Sequence, residues 1–86
     1  MTSKYSKAHN NKVLDFSFKK AKNCYFFILG GQTVGQIFKY SKNDWSALVF
    51  HPKKRSTRLV EHINSRLHCA FYIADHTSYE ILDKIQ

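Results

Sequence analysis

The hydrophobic period of the chain changes beyond its middle, and that change lays out the expected fold. From Val13 to Lys19 apolar and polar residues alternate, with Leu14, Phe16 and Phe18 on one side and Asp15, Ser17 and Lys19 on the other. A period of two marks a half-buried strand. Lys20–Asn23 is the turn that follows. Cys24–Leu29 is apolar on both sides and rich in aromatics, which suits a central strand. Gly30-Gly31 predicts a tight hairpin, because both residues can take positive φ. The next strand runs over Thr33–Tyr40, where Gly35 signals a bulge or the close approach of another group. Ser41-Lys42-Asn43-Asp44 is a loop of turn formers. Trp45–Phe50 is a further strand, and Pro52 ends it by withholding a backbone donor.

After the basic loop His51–Arg55 the period lengthens. Leu59, Ile63, Leu67, Phe71 and Ala74, joined by Val60 and Ala70, recur at helical spacing, with Arg58, His62, Ser65 and Arg66 opposite. Ser56 or Thr57 would cap this helix. Burying Leu59, Ile63, Leu67 and Phe71 against the sheet would contribute about 1.5–3 kcal/mol apiece. Cys69–Asp75 also alternates, so a fifth strand is the competing assignment there. Thr77 and Glu80 have capping-box spacing and predict a short helix through Ile85. The expected fold is α+β: an antiparallel meander of about four strands, one long helix packed on one face, and a short C-terminal helix. Residues 1–11 lack apolar periodicity and read as a flexible basic arm, with residues 12–86 as a single α+β domain. A second core would be too small to hold itself together.

Composition narrows the class. At 43% apolar and 15% aromatic residues, with three glycines and one proline, the chain reads as a folded domain and not a disordered basic tail. Its longest apolar run, Cys24–Leu29, is far short of the roughly 20 residues a membrane span needs. The start of the chain has no apolar h-region. Two cysteines without disulfide-like spacing point to a reducing compartment. The expectation is a soluble cytoplasmic protein with no membrane partner.

Charge adds the functional direction. Residues 1–58 hold twelve Lys/Arg against two acids, a net of +10, while residues 59–86 hold two bases against four acids, a net of −2. Such polarity attracts polyanions before any shape is read. The densest segment runs from His51 to Arg58, where Lys53, Lys54, Arg55 and Arg58 place four bases in six residues beside an expected helix N-terminus, a natural phosphate ligand set. Lys19, Lys20 and Lys22 surround the first turn, and Lys39, Tyr40 and Lys42 the third. In a meander those two turns share one end of the sheet and the loop after the fourth strand lies at the other. The pattern therefore predicts two basic poles joined by a groove, with Tyr25, Tyr40 and Trp45 as stacking surfaces.

No catalytic signature accompanies this charge. His51 and His62 lie near bases, but no second acid/base partner is evident for cleaving RNA. His62, His68, Cys69 and His76 are a dense His/Cys set, and positions 62, 69 and 76 would share a helix face, yet no structural zinc pattern has this form. Cys24 reads as a buried small hydrophobe. Gly30–Gly35 lacks the Lys-Ser/Thr of a phosphate-binding loop. The expected function is a small basic protein, not an enzyme and without metal or cofactor, that binds nucleic acid through its phosphates, RNA ahead of DNA.

Two resemblances qualify that expectation. Strands followed by a packed helix resemble the layout of several small DNA-binding modules, integrase arm-binding domains among them, which implies binding in general and neither groove nor sequence. Rich in Lys, Asn, Tyr, Phe and Ile and poor in Gly and Pro, the chain is also similar in composition to short early proteins of large AT-rich bacteriophages. That similarity implies an alternative: a phage-encoded inhibitor or adaptor that binds a host nuclease, toxin or other nucleic-acid-processing protein, with RNA in the complex. A third reading is a subunit of a larger assembly, paired through a sheet edge at Val13–Lys19.

Overall fold

The structure, a computed structural model, describes residues 3–6, 13–51, 53 and 58–84. Six strands form one antiparallel sheet in sequence order: β1 (Ser3–Ser6), β2 (Val13–Lys20), β3 (Tyr25–Leu29), β4 (Gln32–Ser41), β5 (Asp44–Val49) and β6 (Arg58–Ile63). Two helices follow, α1 (Arg66–His76) and α2 (Tyr79–Lys84). The α+β class and the meander agree with the sequence. Five strands run between Val13 and Ile63 where about four were expected, and β1 flanks them. Its residues lie in the expected arm, yet Ser3 pairs with Phe16 and Ser6 with Val13. The remainder of residues 1–11 lies outside the described residues.

The turns behave as their residues dictate. Gly30 and Gly31 take φ of 59° and 83° and close a two-residue hairpin from Leu29 to Gln32. In the β4–β5 hairpin Ser41 pairs with Asp44, and Asn43 takes φ 64°, a conformation Asn tolerates better than most residues. The register shifts beside Gly35, which faces Phe27 while Thr33 faces Ile28. The glycine also serves the second role anticipated for it. A Cβ there would lie 2.6 Å from the Leu48 carbonyl oxygen and 2.8 Å from Cγ2 of Ile73. Only a residue without a side chain lets α1 settle this close to the sheet.

One face of the sheet supplies the core. Leu14, Phe16, Phe27, Leu29, Val34, Ile37, Ala47 and Val49 meet Cys69, Ala70, Ile73 and Ala74 of α1 and Leu82 of α2. Phe16 touches Phe27 and Phe71, with ring centroids 5.7 and 6.3 Å apart.

The segment from Arg58 onward corrects the expected helix. Arg58–Ile63 is a strand: Leu59 pairs with Leu48, Val60 with Ala47 and Ile63 with Trp45. The pairing satisfies backbone groups that β5 would otherwise leave open. The register slips opposite Ser46, where His62 takes φ 64°. The helix begins eight residues later than expected, at Arg66, with Ser65 as its cap: the amide of His68 donates to the Ser65 hydroxyl and that of Cys69 to the Ser65 carbonyl. Ser56 and Thr57 lie outside the described residues. The later start rotates the buried stripe onto the small residues Cys69, Ala70 and Ala74 with Ile73, leaving Leu67 and Phe71 48% and 39% exposed. Cys69–Asp75 is helical throughout, so the competing strand does not form. The last helix is capped by Ser78, not Thr77: the Ile81 amide donates to the Ser78 hydroxyl, while Thr77 Oγ1 donates back to the Ile73 carbonyl at 2.7 Å. It runs to Lys84, with Ile85 outside the described residues.

Replacing Gly35 with Ala should cost about 1–3 kcal/mol through overpacking against Ile73 and the Leu48 carbonyl. Urea unfolding of the two proteins measures it, and unchanged stability would mean that α1 does not sit this close.

Candidate functional site

The β2–β3 turn and the β4–β5 turn lie at the same end of the sheet, and the bases of both gather there. Lys20, Lys22 and Lys39 line an open cavity of about 380 Å³ together with Ala21, Asn23, Cys24 and Tyr25. The turn is held by the Ala21 amide, which donates to the Cys24 carbonyl at 2.8 Å. Lys19 sits one residue before the cavity on the opposite face of β2, and Lys42 at the tip of the neighbouring turn. Neither the Lys53–Glu80 ion pair nor the His62–Asp44 contact involves these five lysines, and Asp44 itself stands in the same β4–β5 hairpin, two residues from Lys42. Cations converging on one cavity raise the local potential above that of scattered surface charges.

Beside the cavity, on the helix-bearing face, cations and rings alternate. The Arg66 guanidinium lies 4.3 Å from the Phe18 ring centroid and 4.9 Å from that of Tyr25. Tyr25 and Trp45 are tilted rings 6.2 Å apart, and Lys39 Nζ stands 5.4 Å from the Trp45 ring. Each such contact contributes about 0.5–2 kcal/mol, more as water is excluded. Arg66 is also the first residue of α1, so the partial positive charge of that helix N-terminus joins the same end.

The expected site residues therefore divide. Lys19, Lys20, Lys22, Lys39 and Lys42 come together at one end. Tyr40 stands there too, 62% exposed, its hydroxyl accepting from Ser46 Oγ at 3.4 Å. Tyr25 and Trp45 are part of the cation–ring stack, so they are not free stacking surfaces. Lys53 is at the other end, its Nζ 3.5 Å from Glu80 Oε1, and its amide donates to His51 Nδ1. Arg58 begins β6 opposite Val49 and does not sit at a helix N-terminus. That feature of the expected phosphate site is at Ser65, at the opposite end of the sheet. Lys54 and Arg55 lie outside the described residues.

Arg66 and the cavity lining at Asn23 and Cys24 were not singled out from the sequence as site residues. Ser65, a good N-cap just before a base, was the available signal for Arg66. The histidines and cysteines do not converge. His62 is in β6, His68 Nδ1 is 3.0 Å from Ser65 Oγ, and His76 stacks on Tyr72 with centroids 4.1 Å apart. Among the described residues no three His, Cys, Asp or Glu residues are placed to hold a metal. Among them, too, no helix is long and apolar enough to cross a membrane.

The two thiols differ sharply. Cys24 is half-buried at the cavity and accepts from Gln36 Nε2 at 3.5 Å. Cys69 is fully buried, and desolvation pushes its thiol up to about 11. Thiolate is the reactive form, so a thiol reagent at neutral pH should modify Cys24 in the folded protein and reach Cys69 only after denaturation. Counting released chromophore with and without denaturant checks this; two fast equivalents without denaturant would show that α1 lifts off the sheet.

No family model matches the chain, and neither a curated protein nor a solved structure matches it.

Proposed function

We propose that this chain is a small non-enzymatic nucleic-acid-binding protein of the cytoplasm, RNA ahead of DNA, that holds phosphates at the β2–β3 end of its sheet. The supporting observation is the convergence of Lys20, Lys22 and Lys39 on one cavity whose lining holds no Asp or Glu among the described residues. Lys19 and Lys42 flank that cavity, and the N-terminus of α1 adds its dipole. Lysine ammonium groups around an open cavity suit phosphates that arrive with part of their hydration shell, and neutralising them releases condensed counterions. The pair between Lys53 and Glu80 is solvent-exposed and contributes at most about 1 kcal/mol, so Lys53 can exchange its partner for a phosphate as an outlying contact.

The preference for RNA or an unpaired strand has its own support. A duplex-reading module usually lays a helix in the major groove. Here α1 carries a single Lys or Arg, Arg66, already stacked on Phe18 and Tyr25. The lysines of the site stand on two turns, Lys22 and Lys42, and on the strand ends beside them, Lys19, Lys20 and Lys39, an arrangement that suits a flexible backbone better than a groove. Two free cysteines agree with a reducing compartment.

Fluorescence anisotropy of a labelled single strand across a salt series tests the reading. With about five phosphates contacted, the log–log slope of affinity against salt should be roughly −3.5. The triple variant K20E/K22E/K39E should lose at least about tenfold in affinity with its circular dichroism unchanged, and K53E less, since a charge-paired lysine releases fewer counterions. Binding that ignores salt, or no loss in the triple variant, would sink the proposal.

A further inference from the structure

Both helices feed the core on one face of the sheet; the other face holds an aromatic surface that the phosphate site does not use. Its residues follow from the register. Phe26 of β3 lies opposite Lys19 on one side and Gln36 on the other, and Gln36 opposite Leu48. Phe38 lies two residues along β4 from Gln36 and opposite Ser46. All point away from the face that carries Tyr25, Phe27, Ile37 and Ala47 against α1. Phe26, Ile28, Phe38 and Leu48 are half-buried, and Ser46, opposite Phe38, is buried. The Tyr40 hydroxyl, bonded to Ser46, places a third and largely exposed ring on this face.

We propose that this helix-free face is a stacking platform for the bases of a single-stranded nucleic acid, with Phe26, Phe38 and Tyr40 as the rings. The inference rests on the phosphate-binding reading above and specifies its ligand. Three observations favour it. First, face and cavity are contiguous: Gln36, beside both phenylalanines, donates to Cys24, which lines the lysine cavity. A strand whose phosphates sit among Lys20, Lys22 and Lys39 can lay its next bases on the sheet. Second, the rings stand at intervals that a splayed strand can follow, roughly 7 Å from Phe38 to Tyr40 along β4 and about 7–8 Å on the diagonal from Phe26 to Phe38. Third, the charge around the rings is positive where they are densest, from Lys19 opposite Phe26 and Lys42 beyond Tyr40. Of the acids that strand alternation places on this face, Asp15 and Glu61 stand on β2 and β6, away from the β4 rings, while Asp44 stands on β5 beside Tyr40, with its Oδ1 3.3 Å from His62 Nδ1. A second copy is a poor occupant, because two chains of net charge +8 would bring like-charged borders together. An unpaired strand offers both the flat apolar bases and the anionic backbone that this surface complements.

The test compares the full chain and its F26L, F38L and F38W variants in binding a pyrimidine strand about twelve nucleotides long, and the same sequence as a duplex. Leucine keeps the apolar bulk but removes the stacking plane. Each Leu variant should bind the single strand about tenfold more weakly, the scale of one lost base–aromatic stack, with an unchanged salt slope. F38W should retain affinity, and its added fluorescence should be quenched on binding. The single strand should bind more tightly than the duplex. Equal binding of strand and duplex, or Leu variants that bind like the native protein, would overturn the platform while leaving the phosphate reading standing. Failure to bind any nucleic acid would overturn both. A dimer in light scattering without nucleic acid, dissociated by F38L, would assign the face to a second copy and also overturn the platform.

Discussion

The seating of α1 on the sheet at Gly35 is the constraint from which the other positions follow. Ile73 reaches within van der Waals range of a backbone that carries no side chain at that point, so the helix lies close and its buried stripe is built from small residues. Its depth brings Arg66 onto Phe18 and Tyr25 and Phe71 onto Phe16. With one face spent on that contact, α1 does not also cover the far side of the sheet.

Arg66 also explains why the basic end holds its shape. A cluster of like charges repels itself and would splay in isolation. Here Lys39 of the cluster and Arg66 beside it are held against aromatic faces, where the ring quadrupole offsets part of the repulsion. The rings gain cover from water and the cations gain a fixed position, so this end is held in one arrangement by its own contacts. Preorganisation of this kind lowers the ordering cost of binding.

Much of the sheet was legible in the sequence because its signals are local. Alternation in Val13–Lys19, the Gly30-Gly31 turn and the apolar run from Cys24 each depend on neighbours a few residues away. The helix boundary was not, and the reason is physical. Leu59 and Ile63 satisfy a helical spacing and a bulged strand equally, and the choice is made by the unpaired edge of β5, which no local pattern reports. That single shift moved the helix cap from the basic loop to Ser65 and relocated the expected phosphate site. The lysines of the turns were legible individually; their meeting around one cavity needed the hairpin geometry. Phe26 lies in the run Cys24–Leu29, apolar on both sides, which suggests a strand covered on both faces, whereas the two helices pack against one face.

The bulge at His62 bears on what happens when many copies share a solution. A sheet with an apolar face and a long final strand is a template for lateral growth into fibrils. In β6 the pairing with β5 is interrupted between Val60 and Ile63, where His62 takes φ 64°, and the same stretch carries Glu61 and His62, both exposed. An incoming strand meets a kinked and charged border that it cannot follow in register. The conformational oddity of one histidine is thus a local obstacle to extending the sheet in register from this edge.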